Sequence, residues 1–175
     1  MPEIGHGGFE IRENILEPKE AATKIEGLKQ ISIRSQIANE VIDLTYGYFT
    51  PLQGFMKKED VDAVCTKMRL ADGTVWSIPI LFDISSEELS EKGIQEGDSV
   101  LLTYQNNPMA ILEVEEIFEY DLQAMSLAVY GTDEAKHPGC ARTYEYQNRF
   151  LGGKVTLVNR PRINSPYEPY FLPPL

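Results

Sequence analysis

The chain has 175 residues, of which 42% are hydrophobic and 25% charged, so it is long enough for one domain with a real hydrophobic core. Its formal net charge of −11 argues against proteins that bind nucleic acid through the phosphate backbone, because that affinity depends on lysine and arginine. No apolar run approaches the roughly 18 residues of a membrane span, and the N-terminus does not have the pattern of a signal peptide, so we expect a cytoplasmic protein.

The first 47 residues combine an unpatterned arm with two short helices. Residues 1–10 show no periodicity and contain three glycines, so we expect a flexible or draped arm. Pro18 suits the first position of a helix, and Ser35 is expected to cap a second helix that ends near Gly47. A short strand is predicted between the helices. The apolar positions at i, i+4 and i+7 of the second helix are Ile37, Val41 and Leu44, and the strand covers residues 31–33.

The middle of the chain, residues 46–80, is its most patterned stretch and reads YGYFTPLQGFMKKEDVDAVCTKMRLADGTVWSIPI. Acidic residues favour a helix N-terminus at Glu59. Asp72-Gly73 predicts a tight turn after this helix. The nearly continuous apolar run that follows predicts a strand over residues 75–84, covered on both faces, with Trp76 as a core anchor. One apolar stripe of the helix recurs at helical spacing and is formed by Val61, Val64, Cys65 and Met68.

From residue 85 onward the chain alternates helices with strands, whose ends are marked by serine, aspartate and glycine. A break in the alternation at Glu116 predicts a β-bulge. Short strands with intervening helices predict an α+β fold with a small mixed β-barrel as its core. The predicted elements are a helix from Ser85 or Ser86 to Gly93, strands over 99–104 and 109–120, a helix from Asp121 to Gly131, a turn at His137-Pro138-Gly139 and a strand over 154–160.

Motifs for catalysis or metal binding are weak. The chain has neither a P-loop nor a dinucleotide-binding fingerprint. His137 and Cys140 have an H-x-x-C spacing, but a metal site needs two further ligands, and only His6 and Cys65 are soft candidates. We therefore predict no metal site and interpret both cysteines as small packed residues. The clusters of glutamates in the chain are interpreted as solvated faces.

Four segments of the chain resemble one enzyme family. They are GYFTPLQGFM, MRLADGTVWSIPI, YGTDEAKHPGCARTY and LGGKV, and they span most of the sequence. In this order they resemble the N-terminal, PUA-like domain of ATP sulfurylase (sulfate adenylyltransferase). The resemblance implies a PUA-like fold over residues 1–160, a small mixed β-barrel (pseudo-barrel) with flanking short helices. Residues 161–175, with five prolines, would then be a linker toward a catalytic domain.

For the complete enzyme, the resemblance implies that MgATP and sulfate react to give adenosine 5′-phosphosulfate and diphosphate, in sulfur assimilation or in dissimilatory sulfur metabolism. The family's catalytic run, Gln-x-Arg-Asn-Pro-x-His-x-x-His, does not occur in this sequence. We therefore predict that the chain has no catalytic or substrate-binding residue and no cofactor of its own, and is inactive alone. Its expected partner is a downstream or separate nucleotidyltransferase catalytic domain, in an enzyme that is a homo-oligomer. Neither a nucleic acid nor a membrane is expected as a partner.

The positive charge of the chain is concentrated near its C-terminus. Residues 140–175 hold five basic and two acidic residues, whereas residues 1–139 hold 11 basic and 25 acidic residues. We predict contacts with the partner domain for four arginines of the basic segment and for His6, which lies between glycines. The alternative, that the arginines only balance the acidic body, stays open at this point. The four arginines are Arg142, Arg149, Arg160 and Arg162.

Two other functions also stay open. One is a free-standing PUA-like module that binds RNA or a protein partner, which is supported by analogy of fold alone and disfavoured by the acidic charge. The other is a structural partner of a separate catalytic subunit.

Overall fold

The computed structural model describes residues 3–161 and 167–175, and this part of the chain holds six α-helices and seven β-strands. Short 3-10 helices cover His6–Gly8 and Glu168–Tyr170. The predicted α+β class is confirmed. The helices are α1 Pro18–Lys24, α2 Ser35–Thr45, α3 Lys58–Lys67, α4 Ser86–Lys92, α5 Leu122–Tyr130 and α6 Pro138–Thr143. The strands are β1 Lys29–Ser32, β2 Gly54–Phe55, β3 Asp83–Ile84, β4 Ser99–Tyr104, β5 Asn107–Glu113, β6 Glu116–Phe118 and β7 Arg149–Leu157.

The chain divides into two compact units, each made of separate stretches of sequence. The first unit comprises residues 1–54, 97–114 and 153–175, and the second comprises residues 55–96 and 115–152. The chain passes between the units at four points, of which one lies within β2 and one within β7, so the two halves of β7 belong to different units.

The first unit is a sheet with helices. In this unit β1 pairs with β4 in parallel, and β4 pairs with β5 antiparallel. β5 pairs with the second half of β7, with Leu112 opposite Val155. The α2 helix begins at Ser35, whereas the sequence predicted Ser35 as the cap. Its predicted apolar stripe is confirmed, because Ile37, Val41 and Leu44 are all buried.

The second unit has an aromatic core. The first half of β7 pairs antiparallel with β6 and β3, and Phe118 lies opposite Phe150 in that register. The centres of these two rings are 5.6 Å apart. Phe55 and Phe82 form a second, edge-to-face pair at 5.3 Å. The helices predicted between residues 85 and 93 and between 121 and 131 are confirmed as α4 and α5, capped by the side chains of Ser85 and Asp121.

The strand predicted over residues 75–84 is wrong in its first half. Only its last two residues pair as a strand, and burial begins at residue 79. The reason is the end of α3: Met68 adopts a left-handed conformation, and the chain folds into a hairpin. The Leu70 amide donates to the Thr74 carbonyl at 2.8 Å, and the Trp76 amide donates to the Met68 carbonyl at 3.0 Å. The predicted turn at Asp72-Gly73 is therefore confirmed, but Val75, Ser77 and Ile78 after it are exposed.

Two further boundaries differ from the prediction. The strand predicted over 109–120 is two strands with a break instead of one with a bulge, because the Glu115 amide donates to the Gly152 carbonyl at 2.9 Å. In the described residues β6 therefore pairs with β7 and not with β4. β7 also begins earlier than predicted, at Arg149 instead of residue 154.

No helix in the described residues is long and apolar enough to cross a membrane.

Candidate functional site

Arg160 lies in the first unit and contacts the chain's own C-terminal segment. Its guanidinium forms an ion pair with the Glu168 carboxylate. Nη1 donates a hydrogen bond of 3.2 Å to Oε2, and Nη2 donates a second hydrogen bond to Oε1. The same guanidinium lies 4.3 Å from the centre of the Phe171 ring, as a cation–π contact. The hydrogen bond to Glu168 raises the pKa of Arg160 further above its already high ordinary value. The predicted contact residue Arg160 is therefore engaged within its own chain.

Aromatic residues of the YGYFTP motif complete this contact. The Tyr46 ring packs edge-to-face against Phe171 at 5.1 Å. The Tyr48 hydroxyl donates to the Leu172 carbonyl. Burial raises the pKa of the Tyr46 phenol, against the opposing effect of the Arg160 charge, so the phenol stays neutral. We call Tyr46, Arg160, Glu168 and Phe171 the Arg160 cluster.

His6, predicted to contact a partner domain, is exposed at the start of the 3-10 helix His6–Gly8. The arm around it is ordered: Gly5 donates to the Phe9 carbonyl at 2.7 Å, and Ile4 pairs with Glu10 as a single antiparallel bridge. Of the two expectations for this arm, flexible or draped, these contacts favour the draped arm. Arg162, the fourth predicted arginine, lies outside the described residues.

The other two predicted arginines lie in the second unit. Arg149, in β7, forms an ion pair of 2.6 Å with Glu119 and donates to the Asn148 carbonyl. Glu119 is 67% exposed, so this pair is screened by solvent. Arg142 is exposed in the last turn of α6. The described candidates therefore fall into two groups, one in each unit, and their contact with a partner domain stays a prediction.

The YGTDEAKHPGCARTY segment is explained by packing. His137 caps α6, because its Nδ1 accepts a hydrogen bond of 3.2 Å from the Gly139 amide. The His137 ring lies 5.1 Å from the Tyr130 ring. Cys140 is fully buried, and its thiol donates to the Thr132 carbonyl. The predicted turn is the first turn of α6, and both H-x-x-C residues have structural contacts.

No metal site is formed by the part of the chain that the structure describes, since no group of three or more His, Cys, Asp or Glu side chains is placed to hold an ion. Cys65 and Cys140 are both free thiols.

Two shallow pockets open on the first unit. One, of about 190 Å³, lies beside the FTPLQ motif, and the charged side chains at its edge, Arg12 and Glu10, pair with each other at 2.8 Å. The other, of about 250 Å³, is lined by three aliphatic side chains together with Lys24 and Glu113. The first pocket therefore presents no unpaired charge to an anion. Its other lining residues are Phe9, Thr50, Pro51, Leu52 and Gln53.

The hairpin of residues 68–78, in the second unit, exposes apolar side chains. Met68 is 61% exposed, Val75 54% and Ile78 51%. Trp76 is half-buried, and its indole N–H donates to the Ile78 carbonyl at 2.8 Å, so it is not the core anchor that was predicted. Leu70 is buried and fixes the hairpin to the unit. Periodicity could not reveal this surface, because an apolar run predicts burial.

A family model described as PUA-like domain matches residues 3–160. The chain belongs to the PUA-like domain family. Several curated relatives carry the name sulfate adenylyltransferase, which confirms the resemblance read from the motifs. The relative from Cenarchaeum symbiosum is 39% identical over 77% of this chain and 35% of its own length. Those from Hyperthermus butylicus and Staphylothermus marinus are 32% and 35% identical, over 97% and 89% of this chain and 43% and 41% of their own lengths.

The PUA-like chain therefore spans less than half the length of these curated relatives. Among solved structures it is similar to a hexameric APS kinase from Thiobacillus denitrificans, with a TM-score of 0.67 and 19% identity. That match covers 93% of this chain and 28% of the other, and at this identity it shows the PUA-like fold alone.

Proposed function

We propose that this PUA-like chain is the non-catalytic domain of a sulfate adenylyltransferase, and that it supports a catalytic domain that converts ATP and sulfate to adenosine 5′-phosphosulfate and diphosphate. The observation that carries the proposal is the pattern of the matches. Relatives named sulfate adenylyltransferase align with up to 97% of this chain, while more than half of their own length lies outside the match. The catalytic residues are assigned to that remaining length.

The electrostatics of the chain support a role without catalysis. Adenylyl transfer depends on positioned positive charge around the phosphates and the sulfate. Here Arg149 and Arg160 are paired with Glu119 and Glu168, and the chain as a whole carries a net charge of −11. Two of the arginines that could neutralise an anion are thus already neutralised by carboxylates.

The exposed hairpin of residues 68–78 supports a protein as the partner. Its backbone hydrogen bonds and the buried Leu70 hold Met68, Val75 and Ile78 in place while their side chains face solvent. Ordered apolar surface of this kind is typical of protein–protein contacts. We assign it to the catalytic domain, which under this proposal lies in the remaining length of the relatives.

The proposal is tested with a chimera. The full-length Hyperthermus butylicus relative, with its matched segment replaced by this chain, should release diphosphate from ATP in the presence of sulfate. The purified 175-residue chain should release none under the same conditions. Turnover by the chain alone, or a folded chimera without activity, would contradict the proposal. Retention of RNA by the chain in a filter-binding titration at low salt would favour the alternative of an RNA-binding module.

A further inference from the structure

Residues 168–172 contact other parts of the first unit at several points. Residues 161–175 contain five prolines, which predicts an extended linker. In the described part, the Phe171 amide donates to the Glu168 carbonyl at 3.2 Å and the Tyr170 amide to the Tyr167 carbonyl at 2.9 Å. These bonds close one 3-10 turn, in which residues three apart lie on the same side.

That turn explains how one arginine holds the segment. Glu168 and Phe171 are three residues apart, so both face Arg160, one as an anion and the other as an aromatic ring. The side chains of Arg160 and Glu168 are 25% and 34% exposed, so their attraction is less screened than that of a fully exposed pair. The planar guanidinium can bind a carboxylate with two nitrogens and stack on a ring, which a lysine ammonium cannot do equally.

We infer that Arg160 is a positioning residue that holds residues 167–172 against Tyr46 and Tyr48. Under the proposed function, this segment connects the PUA-like domain to the catalytic domain, so the Arg160 cluster fixes the path of the connection. The role inferred for Arg160 is thus exerted within its own chain, through Glu168 and Phe171. The inference depends on the proposed function only for this consequence, since the contacts themselves belong to the 175-residue chain.

The inference is tested on the 175-residue chain by hydrogen exchange of the peptide 167–175, followed by mass spectrometry. In Arg160→Ala this peptide should exchange about tenfold faster than in the unchanged chain, the scale expected when a partly buried ion pair and a cation–π contact are both lost. Arg160→Lys, which keeps the charge but not the planar fork, should exchange at an intermediate rate. Lys19→Ala is the matched control: it removes one exposed positive charge of the same unit, and the exchange rate should not change.

Equal exchange in the unchanged chain and in Arg160→Ala would overturn the inference, as would equal acceleration by Lys19→Ala. Chymotrypsin gives a second readout, because cleavage at Tyr170 and Phe171 should be slower in the unchanged chain than in Arg160→Ala. The proposed function and the role of Arg160 can be contradicted independently of each other. An inactive chimera with a protected segment would contradict only the proposed function, and an active chimera whose segment exchanges freely would contradict only the role of Arg160.

Discussion

Gly54 lies against the backbone of Gly153, so closely that a Cβ atom on Gly54 would lie 1.9 Å from the Gly153 carbonyl oxygen. The same atom would lie 2.6 Å from the Cα atom of Lys154. Backbone atoms cannot rotate away as a side chain can, so only glycine fits at residue 54. Both glycines belong to segments on which the family resemblance rests, GYFTPLQGFM and LGGKV. Close packing of two chain segments is therefore enough to explain these glycines.

Replacement of Gly54 by alanine should destabilise the fold severely. Real Cβ atoms do not approach a carbonyl oxygen to 1.9 Å, so β2 and β7 would have to separate, at a cost of more than about 4 kcal/mol in the free energy of unfolding. Gly73→Ala is the control, because a Cβ there meets open space and the cost is only the strain of its positive φ, about 1 kcal/mol. Urea unfolding of both variants measures the difference, and equal stability would show that the close approach is not rigid.

Gly139 should tolerate alanine only if Tyr130 is also shortened. A Cβ atom on Gly139 would lie 2.6 Å from the Cε1 and Cζ atoms of the Tyr130 ring. We expect Gly139→Ala to lower the free energy of unfolding by about 1–3 kcal/mol, despite the higher helix propensity of alanine. In a double-mutant cycle with Tyr130→Ala, the second substitution should remove most of the clash, so the two effects should not add. Additive effects would contradict this explanation.

The sequence predicted the helices better than the exposed apolar surface, because a helix leaves a local periodic pattern whereas the exposure of an apolar run depends on tertiary structure. The α2 stripe of Ile37, Val41 and Leu44 is a local periodic pattern, and a single buried face is enough to produce it. The apolar run at residues 75–78 carries no such information. Whether it is buried depends on the left-handed turn of Met68 and the hairpin that follows.

The contacts of Arg160 could not be predicted from the sequence either, because they are also set by tertiary structure. Its charge and position predict a contact with a partner domain, which stays a prediction. Within the chain it contacts Glu168, Phe171 and Tyr46, and the last is more than one hundred residues away in the sequence. No local pattern links these residues. The family motifs located the fold correctly, whereas the roles of individual polar side chains required the tertiary contacts.

His137 should contribute to stability through its role as a helix cap. Loss of the Nδ1 acceptor in His137→Ala should lower the free energy of unfolding by about 1 kcal/mol, as is typical for loss of an N-cap. His137→Asn supplies an oxygen at a similar position and should recover most of the loss. Thermal unfolding followed by circular dichroism measures both variants. Equal melting temperatures for His137→Ala and the unchanged chain would show that the cap contributes nothing.

Tyr120 should make the fold sensitive to alkali. Burial, followed by the contact with Cys65, raises the pKa of Tyr120 above its ordinary value of 10.0. The folded chain therefore holds this proton more tightly than the unfolded chain does. The stabilisation is fully present below pH 10 and is lost as the pH rises toward the folded pKa.

The measurement for Tyr120 is urea unfolding at a series of pH values from 8 to about 11. In Tyr120→Phe the free energy of unfolding should fall less steeply above pH 10 than in the unchanged chain. Burial also raises the pKa of Cys65 and that of Tyr46, so part of the alkaline loss should persist in this variant. The loss should shrink further in the double variant with Cys65→Ala, which leaves the part that belongs to Tyr46. An identical slope for Tyr120→Phe and the unchanged chain would contradict the assignment.

Ile78 offers the sharpest test of the exposed hairpin as a contact surface. Ile78→Lys changes a side chain that is 51% exposed, so the free energy of unfolding of the 175-residue chain should change by no more than about 0.5 kcal/mol. Under the proposed function, the same substitution in the chimera should reduce diphosphate release several-fold, because a charge would be buried against the catalytic domain. Leu127→Lys is the matched control, since Leu127 is 56% exposed on α5 and lies outside the hairpin. If both variants reduce activity equally, or neither does, the hairpin is not the surface that meets the catalytic domain.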